Sequence, residues 1–353
     1  MLNTLFQAKT PQMLGLDIGT RYVKALLLEK KGEQLHVNAM ACEPILGDAF
    51  AEREIKDFDA VSNAIRKIKH NLKLKVKDVA VAVSGAAALT KVVQMPSGQT
   101  DLELEGQIEL EADSLIPYPL EDVYLDFEVL GVNNSDSEKN DILLSVAHKN
   151  IVDSRITLLR ELEFEPKVMD MEGYALGNSL VQFISGEPEK IHCCFCVGAS
   201  QLQLTVIQGN RVIYSKEFPF GVDKLISDLC LLHGLDKITA AKQLHSNELP
   251  ESWKFDTYPQ FLGNLQQHIN RALQLYQNAS NAPLPEQLLL CGGASAIEGL
   301  VDDLSSDLGK SIKLFNPLDS MILSEDIKSS SLFGSQFAIA AGLAIRSLDP
   351  CHI

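Results

Sequence analysis

The stretch that most constrains the fold is Leu14–Glu29, LGLDIGTRYVKALLLE. An apolar run ends at Asp17, a Gly-Thr turn follows at Gly19 and Thr20, and a second apolar run starts at Tyr22. Two short β-prone runs around a turn predict a tight hairpin with Asp17 at its mouth. Gly19 can adopt backbone angles closed to other residues and lets a ligand approach the main chain. The turn's N–H groups and the Thr20 hydroxyl can donate to a phosphate. Asp17 then faces that phosphate, which like charge forbids unless a cation lies between them. This is the logic of a Mg-nucleotide site in which Asp17 acts mostly through waters on the metal. An ordinary Asp-x-Gly hairpin turn accounts for the same residues, so this stretch alone leaves both readings open.

The pattern recurs. Cys193–Val197 is another short apolar run, Gly198-Ala199-Ser200 a turn and Leu202–Ile207 the returning strand. Gly209-Asn210 then turns the chain into Arg211–Phe218, as Lys31-Gly32 turns the first unit into Gln34–Ala41. Gly19 and Gly198 lie about half a chain apart, which predicts a duplicated α/β core with one phosphate loop from each half. A third loop is expected for the base. Leu288–Leu290 running into Cys291-Gly292-Gly293-Ala294-Ser295 provides it, since a buried strand, a double glycine and a helix let a nucleotide lie against backbone.

Composition removes several alternatives. With 46% hydrophobic and 22% charged residues, the chain of 353 suits two similar globular lobes. A net charge of −16 speaks against nucleic acid as a partner and against electrostatic docking to anionic lipid. No apolar run approaches a membrane span, and Met1–Thr10 lacks a signal peptide's charged start and apolar core. A cytoplasmic protein without direct membrane insertion is expected. The seven cysteines, at 42, 193, 194, 196, 230, 291 and 351, form no paired framework. His192-Cys193-Cys194-Phe195-Cys196 invites a metal reading, but successive strand side chains point to opposite faces and no second Cys/His pair completes a site. Buried reduced thiols are the expectation. Gly309-Lys310-Ser311 resembles a P-loop's end, yet position 304 is Leu and the order is helix then strand, so Gly309 should end a helix.

Between these landmarks, Phe58–Leu74 carries Val61, Ile65, Ile68 and Leu72 at helical spacing. Its Arg66, Lys67, Lys69 and Lys73 form either a solvated face or a face for an acidic partner. Val79–Val83 reads as a buried strand. Strand Lys91–Gln94, helix Leu102–Leu115, strands Val123–Leu130 and Asp141–Ala147, and helix Asn150–Glu163 read as a small inserted α+β subdomain. Its first helix turns Leu104, Ile108, Ala112 and Leu115 inward and mostly exposes Glu103, Glu105, Glu109, Glu111 and Asp113. Lys167–Asp170 returns to the core, and Glu172–Ile184 is a helix. Helices Val222–Leu231, Thr239–His245 and Tyr258–Asn278 follow, and Ile297–Leu308 and Phe333–Leu348 finish the chain.

In order and spacing, the three glycine loops resemble those of the actin-like ATPase superfamily. The segments between them resemble its PilM family: KVVQMP (Lys91–Pro96), EADSLIPYPLEDVYLDFEVLG (Glu111–Gly131), VMDMEGYAL (Val168–Leu176), LLLCGGASAIEGL (Leu288–Leu300), Asn316-Pro317 and AAGLAIRSL (Ala340–Leu348). The resemblance implies an α/β, actin-like ATPase fold with duplicated ribonuclease-H-like lobes around a nucleotide cleft. It implies a first core from 1–85 and 166–188, and an inserted subdomain at 86–165 like that of the cell-division protein FtsA. The second core would be 189–221 and 284–353, with a small helical subdomain at 222–283. ATP or ADP would be held by Asp17, Gly19, Thr20, Lys24, Gly198, Ala199, Arg271, Gly292, Gly293 and Ala294. Mg would be served by Asp17 through water, and by Asp170.

Three positions depart from the superfamily's pattern. Cys196 stands where an Asp helps hold Mg and the attacking water, and a buried thiol has little affinity for that hard cation. His245 and His268 stand where Lys and Glu are common. Nucleotide binding is therefore expected more than efficient hydrolysis. The resemblance further implies a cytoplasmic scaffold of type IV pilus assembly, held at the inner membrane through PilN. It would bind PilN's N-terminal cytoplasmic segment in a groove between the first core and the inserted subdomain, and contact the pilus motor ATPases. Strand Lys91–Gln94 and helix Leu102–Leu115 are the candidate groove walls. The rivals are an active ATPase that drives pilus assembly and a self-associating, filament-forming protein like FtsA. Against membrane tethering of the FtsA kind, the sequence stops at Asp349–Ile353 without an amphipathic tail helix.

Overall fold

Strand Leu14–Ile18 is buried at all five positions, the mark of an inner strand covered on both faces. It pairs antiparallel with Tyr22–Lys31, which pairs antiparallel with Gln34–Pro44. On its other side it pairs parallel with Asp78–Val83, and that strand with Glu165–Met171. A second sheet repeats this order strand for strand: Arg211–Phe218, Leu202–Gln208, Ile191–Val197, Gln287–Cys291 and Ser311–Leu314. The register repeats as well. Asp17 stands opposite Lys24 across the first hairpin, and Cys196 opposite Gln203 across the second. The computed structural model describes residues 12–348 apart from 52, 85–87, 134, 185–189, 281–283 and 329–331. Met1–Thr10, Asp349–Ile353 with Cys351, and the side chain of Asp113 lie outside the described residues.

The two units differ in what is inserted. Between its third and fourth strands the first unit has helix Phe58–Asn71, begun by Asp57, whose carboxylate accepts the Ala60 N–H at 2.9 Å. Part of that helix's basic face is used internally, since Lys69 donates to Glu163 and to the Leu162 carbonyl, both at 2.8 Å. At the same point the second unit has helices Val222–His233, Lys237–Ser246 and Tyr258–Ser280. Between its fourth and fifth strands the first unit carries a three-stranded sheet, in the order Ala88–Pro96, Lys139–His148, Val123–Val132. Helix Asp101–Leu115 covers one face, packing Leu104 and Ile108 on Val93, Met95, Ile142 and Leu144. Thr100 and Glu103 form a reciprocal capping box that fixes where this helix begins.

The tail departs from expectation. Phe333–Leu348 is not one helix: 3-10 turns Gly334–Phe337 and Ile345–Ser347 flank a short helix, Ala338–Ala344, buried at all seven positions. It lies so close to its neighbours that a Cβ on Gly15 would sit 2.1 Å from the Ala340 carbonyl oxygen, and one on Gly342 1.6 Å from that of Ala175. Only a stripe of small residues permits this approach. Strand Ile322–Leu323 joins the first sheet beside Gln34–Pro44. The described tail of the 284–353 stretch, expected in the second core, thus packs on the first sheet. As expected, Gly309 ends helix Leu300–Leu308. Cys193, Cys194 and Cys196 are buried free thiols of one strand, and Cys193 faces a different core from the other two. No helix among the described residues is long and apolar enough to cross a membrane.

Candidate functional site

The two hairpin turns and the double-glycine loop meet around one cleft of about 260 Å³, near the lower end of small-molecule pockets. Asp17, Gly19, Thr20, Lys24, Gly198, Ala199, Gly292, Gly293 and Ala294 all line it, as do Cys196 and His245. Its two ends differ in chemistry. Asp17, Thr20, Lys24, Ser200 and Gln203 make one end polar, whereas Ile226, Ala241, Leu244 and Ile297 make the other apolar. Such a division suits a ligand with a charged tail and a flat apolar head.

At the polar end Lys24 Nζ donates to Asp17 Oδ2 at 2.6 Å, the two side chains being 16% and 5% exposed. Burial alone would depress the Lys24 ammonium, but attraction to Asp17 and their hydrogen bond outweigh it and the pKa is raised. Beside this pair, the Cys196 thiol is pushed well up by its hydrogen bond with Cys291 and then by burial, so it stays protonated. Burial likewise pushes the Cys42 thiol up to about 11. Thr20 Oγ1 and Ser200 Oγ lie 3.1 Å apart, joining the two turns directly. Two ion pairs span the cleft from the first unit to the helices of the second: Arg21 with Asp223, and Lys237 with Asp48 at 3.0 Å.

At the third loop, Gly292 has φ +89°, and a Cβ there would meet the Val197 carbonyl oxygen at 2.5 Å. The loop can thus lie against the end of the second hairpin strand only with glycine. A Cβ on Gly293 would meet nothing within 4 Å, so this backbone faces open cleft, the cradle that a nucleotide needs. A protein-ligated metal fits less well. Among the described residues no three His, Cys, Asp or Glu side chains could hold an ion. Among the described residues the carboxylates that line the cleft are Asp17 and Glu172, and each is bonded to a base. Such a donor set suits a cation carried on phosphates better than one held by the protein alone.

Two expected site residues stand elsewhere. Arg271 is exposed on helix Tyr258–Ser280 and does not line the cleft. Asp170 also lies off the cleft, partly buried beside Arg346 at 3.6 Å and accepting the Met171 N–H at 2.8 Å. Burial raises its pKa, with Arg346 opposing. His268 is stacked on Phe220, ring centroids 4.6 Å apart, away from the cleft. Conversely, Arg21, Arg53, Glu172 and Gln203 line the cleft and were not expected there. Arg21 follows the glycine-threonine turn directly. Glu172 follows the end of a parallel strand, where α/β sheets place ligands. Nothing local marks Arg53.

A larger open groove of about 1120 Å³ lies alongside, between the first core, the inserted sheet and the edge strand Arg211–Phe218. Ala88, Leu89 and Thr90 line it, with Tyr174, Lys216 and Glu217. Helix Asp101–Leu115 supplies none of the described residues that line it.

Comparison with known proteins places the chain. One chain of the solved PilM-PilN type IV pilus biogenesis complex superposes with a TM-score of 0.82 at 24% identity, covering 96% of this chain and 99% of that one. Ethanolamine utilization protein EutJ from Carboxydothermus hydrogenoformans follows at a TM-score of 0.52 and 12% identity, covering 95% and 89%. Both likenesses bear on the fold, which is that of the actin-like ATPases. The family described as type IV pilus assembly protein PilM matches residues 15–348. The chain belongs to the PilM family of type IV pilus assembly proteins.

Proposed function

We propose that this chain is a cytoplasmic, actin-like scaffold of the type IV pilus assembly complex. It binds ATP between its two sheets and the N-terminal cytoplasmic segment of PilN in the neighbouring groove, and it is peripheral to the inner membrane through PilN. The observation that carries the nucleotide half is the convergence of three glycine turns on one cleft with a polar and an apolar end. Thr20, Lys24 and the turn backbones of Gly19, Gly198 and Gly293 hold the phosphates, and the wall of Ile226, Leu244 and Ile297 takes the base. Mg comes with the phosphates and meets Asp17 only through water.

The partner half rests on the groove's shape and place. Strand Arg211–Phe218 is a sheet edge, and its Ser215–Phe218 stretch lines the groove. An extended peptide can add hydrogen bonds to such an edge and set side chains between Leu89 and Tyr174. The similar PilM chain was solved with PilN. The pilus motor ATPases are the proposed second contact. We retain the four-part division, at 1–85 with 166–188, 86–165, 189–221 with 284–316, and 222–283, and assign the tail beyond 316 to the first core.

A melting-temperature titration with ATP and Mg, run beside a phosphate-release assay, tests the nucleotide half. Saturation at a hundred times Kd should stabilise the protein by about 2.7 kcal/mol, with little phosphate released. No shift at millimolar ATP would remove nucleotide binding from the proposal. Turnover that disappears in Asp17→Ala would put an active ATPase in its place.

A further inference from the structure

The nucleotide cleft and the groove share one wall. Arg53, Glu172, Ser200 and Gln201 line both cavities. Arg53 stands in the turn between the short strands Phe50–Ala51 and Glu54–Ile55. It is ion-paired with Glu172, and each of the two side chains is 11% exposed. Its Nε is buried and, among the described residues, has no hydrogen-bond partner. Asp17 attracts the guanidinium from the cleft side and Glu217 from the groove side. Behind it lies a second guanidinium, that of the fully buried Arg155, donating to the carbonyls of Ile151 at 3.2 Å and of Arg53 itself at 3.4 Å. Arg53 is thus a buried cation between two cavities, with a donor to spare and a positive neighbour at its back. A phosphate entering the cleft is a stronger, forked acceptor for it than one carboxylate oxygen.

Resting on the ATP and PilN readings above, we infer that Arg53 distinguishes a nucleoside triphosphate from a diphosphate and passes that distinction to the partner groove through Glu172. A terminal phosphate draws the guanidinium away from Glu172. The carboxylate, on the common wall and 9% exposed as a residue, is then unpaired, which is unfavourable until another donor reaches it. An N–H or ammonium group of a peptide in the groove is such a donor. ATP therefore tightens peptide binding, and by reciprocity the peptide tightens ATP by the same factor. ADP, one phosphate shorter, leaves Arg53 on Glu172 and changes little.

The test is fluorescence anisotropy of a labelled synthetic peptide, the cytoplasmic N-terminal segment of PilN, titrated with the full chain alone, with ADP and with ATP. We expect ATP to tighten the peptide about tenfold and ADP less than about threefold, within the usual range of coupling between sites. Arg53→Gln and Glu172→Gln should each bring the ATP-to-ADP ratio near one while still binding peptide. Arg53→Lys keeps the charge but not the fork and should fall between. It decides the question if Arg53→Gln does not melt cooperatively. Equal effects of ATP and ADP on the unaltered chain, or a full ratio in Arg53→Gln, overturn the inference and leave ATP and PilN binding standing. No peptide binding in any state overturns both.

Discussion

The two glycine hairpins share a backbone and differ in chemistry. In each, the turn glycine N–H donates to a carbonyl three residues on: Gly19 to Tyr22 at 3.1 Å, and Gly198 to Gln201 at 2.8 Å. In each, the residue two before the glycine lines the cleft with its cross-strand neighbour, Asp17 with Lys24 or Cys196 with Gln203. The first hairpin places a buried ion pair there. The second places a protonated thiol and an amide that turns aside, donating to the Leu204 carbonyl at 2.8 Å and to Ser215 Oγ at 2.9 Å. Backbone donors come from both halves, whereas the charge that could govern a cation or a water comes from one. Holding phosphate and breaking it are therefore separable here, because the first needs mainly the repeated geometry and the second the chemistry that only one half carries.

The largest expected effect of disturbing this asymmetry is at Lys24. Lys24→Met leaves Asp17 buried without its ion-pair partner, which should destabilise the nucleotide-free protein by about 3–5 kcal/mol at pH 8. A lone buried carboxylate has a raised pKa, so the loss should shrink as pH falls and Asp17 takes a proton. In the unaltered chain the slope has the same sign for the base, because a raised pKa again means that the folded state holds the proton more tightly. The raised Lys24 pKa contributes stability throughout neutral pH, lost only as pH rises through that raised value. Urea melts of both proteins between pH 5 and 8 (a range set by carboxylate titration) would decide the matter. A loss that ignores pH would show that missing packing, rather than the stranded charge, is responsible.

Cys196→Asp makes the second hairpin like the first. It adds a buried carboxylate near Asp17 that must share Lys24, and we expect a loss of about 2 kcal/mol without ligand. With ATP, Mg should then recover more stability in the variant than in the unaltered chain, because a hard oxygen has replaced sulfur. Melting curves with ATP plus Mg, and with ATP plus a chelator, measure this. Equal Mg effects in the two proteins would remove Cys196 from the cation's surroundings. Gln203→Met should be milder, about 1 kcal/mol and independent of pH, since it removes only neutral hydrogen bonds, to the Leu204 carbonyl and Ser215 Oγ, and strands no charge. If Gln203→Met were as harmful as Lys24→Met, the supposed difference in charge between the hairpins would not be what matters.

Legibility in the sequence followed distance along the chain. Both hairpins and the third loop were readable because a glycine turn between apolar runs is a local instruction. Their convergence could be expected from the repeat. Arg53 could not be expected at the cleft, since tertiary packing alone brings it to Glu172. Arg271 stands off the cleft: Phe261, Leu265, Ile269, Ala272 and Tyr276 are the buried stripe of their helix, and residue 271 lies on its exposed side. Asp170 stands off it too, beside Arg346 from the far end of the chain, a neighbour that no local pattern announces. The tail helix escaped for another reason. AIAAGLA is apolar on every side, so periodicity marks neither its ends nor the sheet it covers.

The smallest predicted effect lies where the two hairpins touch. The Thr20 and Ser200 hydroxyls, 3.1 Å apart, are a direct bond between the halves at the cleft floor. Each hydroxyl lies open to a cleft that water can enter, so losing one partner does not bury an orphan. Thr20→Ala or Ser200→Ala alone should then change stability by only about 0.5 kcal/mol without ligand. The informative quantity is the double mutant. If the hydroxyls bond mainly to each other, the second substitution should add almost nothing to the first, giving a coupling of about 0.5 kcal/mol. With ATP bound, both hydroxyls can turn to phosphate oxygens, and each single substitution should weaken binding while the coupling between them disappears. Additive losses without nucleotide would mean that the halves meet by packing alone. Coupling that persists undiminished in ATP would mean that neither hydroxyl serves the phosphates, and the two hairpins would then contribute only their backbones.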